Sequence, residues 1–162
     1  MKRTVWKWTS AGLLVAGALG GVTLGTALAA PPRGVTGGDI VGPVILDNTA
    51  VQDIGSNWRA WFRTQGPSEI RIVTRTIAPG GHSGWHSDPG PVVIAVNAGA
   101  ATWYDAADCV PHIYPAGTGY LEPPRHAHLV RNDGDSNLEL IALFLSPPGV
   151  PTRIDEPDPG CR

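Results

Sequence analysis

The sequence predicts an all-β chain, an antiparallel barrel or sandwich of about eight or more short strands. Three observations predict it. Proline and glycine are frequent and evenly spread: all 16 prolines and 16 of the 21 glycines lie beyond residue 29, which leaves little room for helices of ten residues or more. Apolar residues come in short runs instead of at helical spacing. β-branched and aromatic residues dominate those runs, and turn formers bound them.

The first segment stands apart from the fold. Lys2, Arg3 and Lys7 form a positive start, an uncharged apolar run follows from Ala11 to Ala29, and Ala27-Leu28-Ala29 has the small-x-small pattern of a cleavage site. Residues 1–29 are therefore expected to be a signal peptide that is removed on export, against the alternative of a retained membrane anchor. The expected location is secreted, periplasmic or in the cell envelope, with no membrane association after cleavage.

The elements follow in order. Residues 30–37 are an extended N-terminal segment, and a barrel domain is expected over 38–147. Asp39–Leu46 is the first apolar run. Asn48–Asn57 is the one stretch with room for a short helix. Trp58, Ala60 and Phe62 alternate with polar partners, as a half-buried strand does. Glu69–Ala78 is rich in Ile, Val and Thr, and Val92–Ala98 is apolar except for Asn97. Ala101–Tyr104, Gly119–Glu122, Ala127–Arg131 and Leu138–Leu145 complete the set. Asp133-Gly134-Asp135 is a hairpin turn between the last two. Residues 148–162 form a Pro-rich tail.

Charge narrows the partners. Beyond residue 29 there are fourteen acidic residues against nine basic ones, all arginine, a net charge of −5. That balance speaks against nucleic acid, which calls for a basic face. Cys109 and Cys161 are the two cysteines. In an exported chain such a pair suggests a disulfide tying the tail back to the domain; two free thiols or a cysteine ligand are the other readings.

Four of the five histidines fall in two clusters, Gly81-His82-Ser83-Gly84-Trp85-His86-Ser87-Asp88 and His126-Ala127-His128. Residues two apart on a strand share a face, so His86 can converge with Asp88, and His126 with His128. If the two strands face each other inside a barrel, three or four ligands meet. Imidazoles with one carboxylate suit a divalent transition metal: Mn, Fe, Ni, Cu or Zn. Each residue also has a plainer reading. His86 can be capped by a backbone carbonyl, Asp88 precedes Pro-Gly-Pro and can be a turn residue, and His126 can bond a substrate or orient a ligand. His82 and His112 read as exposed or structural. Trp85, Trp103, Tyr104, Tyr120 and Glu122 default to core or rim packing; Trp85 and Glu122, with Arg125, are the candidates for contacting a bound molecule.

These clusters resemble the two motifs of the cupins. The first cupin motif runs Gly, five residues, His-x-His, three or four residues, Glu, six residues, Gly; here Gly80, His86-x-Asp88, Val92 and Gly99 stand at those places. The second runs Gly, five residues, Pro-x-Gly, two residues, His, three residues, Asn; here they are Gly117, Pro123-Pro124-Arg125, His128 and Asn132. The resemblance covers roughly residues 68–147. It implies a double-stranded β-helix (jelly-roll) barrel with a metal in its mouth, usually in a homodimer. The departures fall on the ligands. Asp88 replaces a histidine, Val92 replaces the glutamate and cannot ligate, and Arg125 replaces a glycine.

Three functions follow from this pattern. The first is a metal-binding barrel that takes a small-molecule ligand. The second is a non-haem iron or other metal oxygenase or isomerase acting on a small organic substrate, since two histidines and one carboxylate leave coordination positions open. Residues 136–146 carry no cation, which speaks against the 2-oxoglutarate branch. The third is a metal-free structural or interaction barrel, with apolar side chains filling the space between residues 86 and 128.

Overall fold

The structure is a computed structural model that describes residues 30–46, 50–52 and 61–161. Among the described residues there are twelve strands and no helix. They are β1 (Arg33–Leu46), β2 (Ala50–Gln52), β3 (Trp61–Arg63), β4 (Ser68–His82), β5 (His86–Ser87), β6 (Val92–Ala98), β7 (Ala100–Asp105), β8 (Pro111–Pro115), β9 (Gly119–Glu122), β10 (His128–Arg131), β11 (Leu138–Ser146) and β12 (Ile154–Asp155).

All pairings are antiparallel, and they build two facing layers. One has the order β1-β4-β11-β6-β9, the other β8-β7-β10-β5-β12. The layers join where the end of the long β4 meets β10, at His82 opposite Arg131. This is the nearly closed barrel that the strand pattern predicts. β2 and β3 form a separate two-stranded ribbon.

The core lies between the layers and obeys the two-residue period of strands. On β6, Val92, Ile94 and Val96 point inward and are buried; Val93, between them, is 52 % exposed. Leu138, Leu140 and Ala142 of β11 do the same. The run 92–98 is apolar on both faces in sequence, yet only one face is covered in this chain. Asn132, also buried, fixes the β10–β11 hairpin: its Nδ2 donates to the carbonyls of Ile77 (2.7 Å) and Ser136 (2.8 Å), and its Oδ1 accepts from the Gly134 amide.

Several elements differ from the sequence-based expectation. β1 begins at Arg33, inside the stretch 30–37 expected to be an extended segment. Of the possible helix 48–57, the described part, Ala50–Gln52, is strand β2, and the remainder lies outside the described residues; so do residues 58–60 and the expected signal peptide. β8 is bounded by prolines and pairs only with β7, an edge position where a missing N–H is tolerated. The tail carries β12, which pairs with β5.

Cys109 and Cys161 form the expected disulfide, 52 residues apart. It closes the tail over the outside of the second layer, where Trp85, Tyr104 and Leu129 form a small apolar cluster with Cys161 packed against it.

Candidate metal centre

The site starts from β5, a strand of two residues. A strand so short has little stability of its own, and its neighbours hold it. His86 lies opposite His128 of β10 on one side and opposite Asp155 of β12 on the other. Four further hydrogen bonds bind the tail to this segment. Ser87 Oγ donates to Glu156 at 2.7 Å, the Glu156 amide donates to the Trp85 carbonyl, and Arg153 donates to the carbonyls of Ser83 and Trp85. The turn before β5 needs glycine at 84: its φ is +72°, and a Cβ there would sit 2.2 Å from the Ala30 carbonyl oxygen.

His86, Asp88 and His128 converge, each with one ligand atom within 4.8 Å of the others'. The two imidazole rings lie 4.4 Å apart. Asp88 Oδ2 is 3.6 Å from His128 Nε2, although Asp88 lies one residue beyond β5. Asp88 is 1 % exposed and His128 is 0 % exposed.

Both rings are oriented alike. His86 Nδ1 faces the Gly84 carbonyl at 2.9 Å, and His128 Nδ1 faces the His126 carbonyl at 2.8 Å. A carbonyl only accepts, so in the neutral ring Nδ1 carries the hydrogen and Nε2 presents its lone pair to the site. This is the arrangement that metal-ligating histidines use. Glu122 of β9, 3 % exposed, brings its Oε1 to 3.3 Å from the same His128 Nε2. That approach lacks hydrogen-bond geometry: His128 Nε2 and both carboxylate oxygens of Asp88 are buried without a hydrogen-bond partner among the described residues. Buried polar atoms are nearly always satisfied. Acceptors converging on one point without a donor fit a cation.

Electrostatics agree with this reading. Burial, then the His128 charge, push His86 down to about 3, so it is neutral at any physiological pH. Burial and the neighbouring Glu122 carboxylate push Asp88 up to about 7. Burial lowers His128, but the adjacent Glu122 carboxylate, the His126 carbonyl and Asp88 outweigh it and leave His128 raised. In the metal-free protein, protons therefore stand in for a cation. For stability the shifts of Asp88 and His86 oppose each other. The raised Asp88 loses stabilisation as pH rises from about 4 to 7, whereas the depressed His86 loses it as pH falls from about 6.5 to 3. Metal affinity is thus the more pH-sensitive quantity. Binding must displace the Asp88 proton and any proton that His128 carries, so affinity is expected to rise at least roughly tenfold per pH unit between about 5 and 7. A metal titration repeated across pH checks the slope; no dependence over that range would contradict it.

The structure distributes the other candidates around the site. His126 precedes β10, so strand alternation does not turn its ring inward. The ring instead pairs with Asp105 at 3.0 Å and is 41 % exposed; what His126 gives the site is its carbonyl. Arg125, at φ +56°, has an exposed side chain and lies outside the cavity lining, and its amide donates to the Asp88 carbonyl at 2.7 Å. Trp85 faces away, into the outer cluster under the tail. His82 accepts from the Gly84 amide, and His112 is exposed on β8. Apolar side chains do not fill the space between residues 86 and 128, as a metal-free barrel requires; carboxylates approach it.

A cavity of about 180 Å³ opens from His86, Asp88 and Glu122 toward solvent. Its walls are mostly apolar, with Ile77, Ile94, Leu140 and Phe144 among them, and its polar groups include Arg75, Tyr120 and Arg153. Sequence reasoning missed Arg75. Its signal was available: on β4, Val73, Arg75 and Ile77 share one face by alternation, and two of the three are core residues.

Comparison with known proteins gives one family. The model for the cupin domain matches residues 73–144. No curated protein matches. Among solved structures, the chain is similar to a cupin-like protein from Thermotoga maritima (17 % identity, 58 % of this chain and 79 % of that one, TM-score 0.49). It is also similar to a cupin 2 conserved barrel domain protein from Leptotrichia buccalis (14 %, 69 % and 41 %, 0.48) and to a protein with a double-stranded β-helix domain from Klebsiella pneumoniae (15 %, 68 % and 85 %, 0.47). With the family model spanning both motifs and an all-β barrel around them, residues 73–144 form a cupin domain.

Proposed function

We propose that this protein is an exported cupin that holds a divalent transition metal (Mn, Fe, Ni, Cu or Zn) on His86, Asp88 and His128 and binds a small organic molecule in the cavity above it. One observation carries the reading. Buried, unpartnered lone pairs of His128 and Asp88 meet at one point, beside a His86 ring turned the same way. A metal held by His86, Asp88 and His128 would supply Lewis acidity beside the cavity. An oxygenase or isomerase on the same centre remains the alternative. The signal-peptide pattern of residues 1–29 supports export.

The chain's own groups indicate the ligand. Arg75 sits on the inner face of β4, opposite Leu140. Among the described residues it has no ion pair, and its guanidinium donates only to the Thr74 carbonyl. Burial lowers its pKa from the usual arginine range, only partly offset by the Asp39 charge. The buried Tyr120 hydroxyl also lacks a partner, and burial next to Glu122 raises its pKa and keeps it a phenol. A guanidinium and a phenol in an apolar cavity suit a small acid with an apolar body. The zinc-loaded protein is expected to bind benzoate at least about tenfold tighter than benzamide, given roughly 1.5–3 kcal/mol for a charge-assisted hydrogen bond. Arg75→Gln should erase that preference and leave zinc affinity unchanged. Calorimetry checks both, and equal binding of acid and amide by the wild type would contradict the assignment.

A homodimer belongs to the same reading. It is supported by the outer face of the first layer, where Val93, 52 % exposed, lies opposite Leu121, 60 % exposed, on the neighbouring strand.

A further inference from the structure

Val92 occupies the place where the first cupin motif carries its glutamate. It points into the barrel and is fully buried. Its direct partner across the β6–β9 ladder is Glu122. Residues directly opposite in an antiparallel pair share a face, with Cβ atoms roughly 4.5–5.5 Å apart. A carboxylate at 122 therefore enters the same part of the barrel as one at 92, from the neighbouring strand. Glu122 does reach the site, with Oε1 3.3 Å from His128 Nε2, and among the described residues no arginine or backbone amide engages it.

We propose that Glu122 is a fourth metal ligand, the carboxylate lost from β6 being supplied across the ladder by β9. The inference rests on the metal-centre reading above. The competing role is a carboxylate that merely orients His128. Such a carboxylate binds the ring nitrogen opposite the metal, and in His128 that nitrogen, Nδ1, already faces the His126 carbonyl. Glu122 lies instead at Nε2, the side shared with Asp88. Charge points the same way. Two buried carboxylates side by side are costly without a countercharge, and with two neutral imidazoles they balance a +2 ion. The resulting set, two nitrogens and two carboxylate oxygens on β5, the turn after it, β9 and β10, leaves the cavity side for ligand.

The test is titration of the mature protein with Zn²⁺ and Co²⁺. Wild type is compared with Glu122→Gln, His128→Ala and the double variant Val92→Glu/Glu122→Val. Glu122→Gln, close in shape, is expected to weaken binding at least roughly a hundredfold, beyond the 10–100-fold of a residue that only supports a ligand, and the double variant to recover most of that loss by returning the carboxylate to β6. If Glu122→Gln binds like wild type while His128→Ala does not, Glu122 is no ligand and the centre stands. If neither substitution matters, the centre itself falls. X-ray absorption of the zinc-loaded wild type gives an answer independent of any variant's folding: two imidazoles with two carboxylates are expected, and a single carboxylate would overturn the proposal.

Discussion

His128→Ala is expected to weaken divalent-metal binding by at least roughly a hundredfold, beyond the 10–100-fold typical of residues that only support a ligand. The magnitude follows from where the ring stands. It is fully buried, its Nδ1 is fixed by the His126 carbonyl, and its Nε2 lies 3.6 Å from Asp88 Oδ2 and 3.3 Å from Glu122 Oε1. A second readout separates this from general damage. Without His128 the two carboxylates face each other with no partner to carry a proton, so Asp88 titrates higher still. Stability of the metal-free variant should then fall as pH rises through that value, because the folded state binds the extra proton. His126→Ala is the matching control. It removes a ring bonded to Asp105 and keeps the carbonyl that orients His128, so metal affinity is expected to stay within a few fold. Competition titration with a chromophoric chelator measures both variants. Equal losses for His126→Ala and His128→Ala would contradict the assignment of roles.

Removing the disulfide is expected to have the largest effect on stability. The Cys109–Cys161 link closes a loop of 52 residues, for which loop-closure entropy assigns about 4 kcal/mol as an upper figure. For a chain of this size that is a fall in Tm on the order of 10 °C. The consequence for the site is less obvious from stability alone. The linked tail carries β12, Arg153 and Glu156, which together hold β5 and thus His86. Cys109→Ser/Cys161→Ser is therefore expected to lower metal affinity as well as Tm, although neither sulfur approaches the metal residues. Thermal unfolding with and without zinc separates the two effects. A variant that melts earlier yet binds zinc like the wild type would show that β5 holds without the tail.

Much of the barrel was legible in the sequence because strand patterning is local. The limits of β6 and β9 follow directly from the apolar run 92–98 and from Gly119–Glu122, each closed by turn residues. What escaped detection has physical causes. β8 hides behind its prolines, which an edge strand tolerates. β5 and β12 are too short for periodicity and exist because β12 pairs with β5 and β5 pairs with β10. At the site, spacing brought out His86, Asp88 and His128, since motif register places them. It erred on His126, where two-residue alternation was applied to a residue outside any strand. It assigned Glu122 only to the ligand side, because the pairing of Val92 with Glu122 is a property of the ladder, set by which strands become neighbours. Arg125 drew attention as a charged residue at a glycine position; its left-handed backbone turns the side chain outward, and Arg75 lines the cavity instead.

The most direct test of the account is anomalous diffraction from crystals of the zinc-loaded protein, recorded on both sides of the zinc edge. One strong peak per chain is expected, bounded by the Nε2 atoms of His86 and His128 at about 2.0–2.1 Å and by a carboxylate oxygen of Asp88 at about 2.0–2.2 Å. A featureless map at that point, or a peak only on surface groups such as His126 with Asp105, would contradict it.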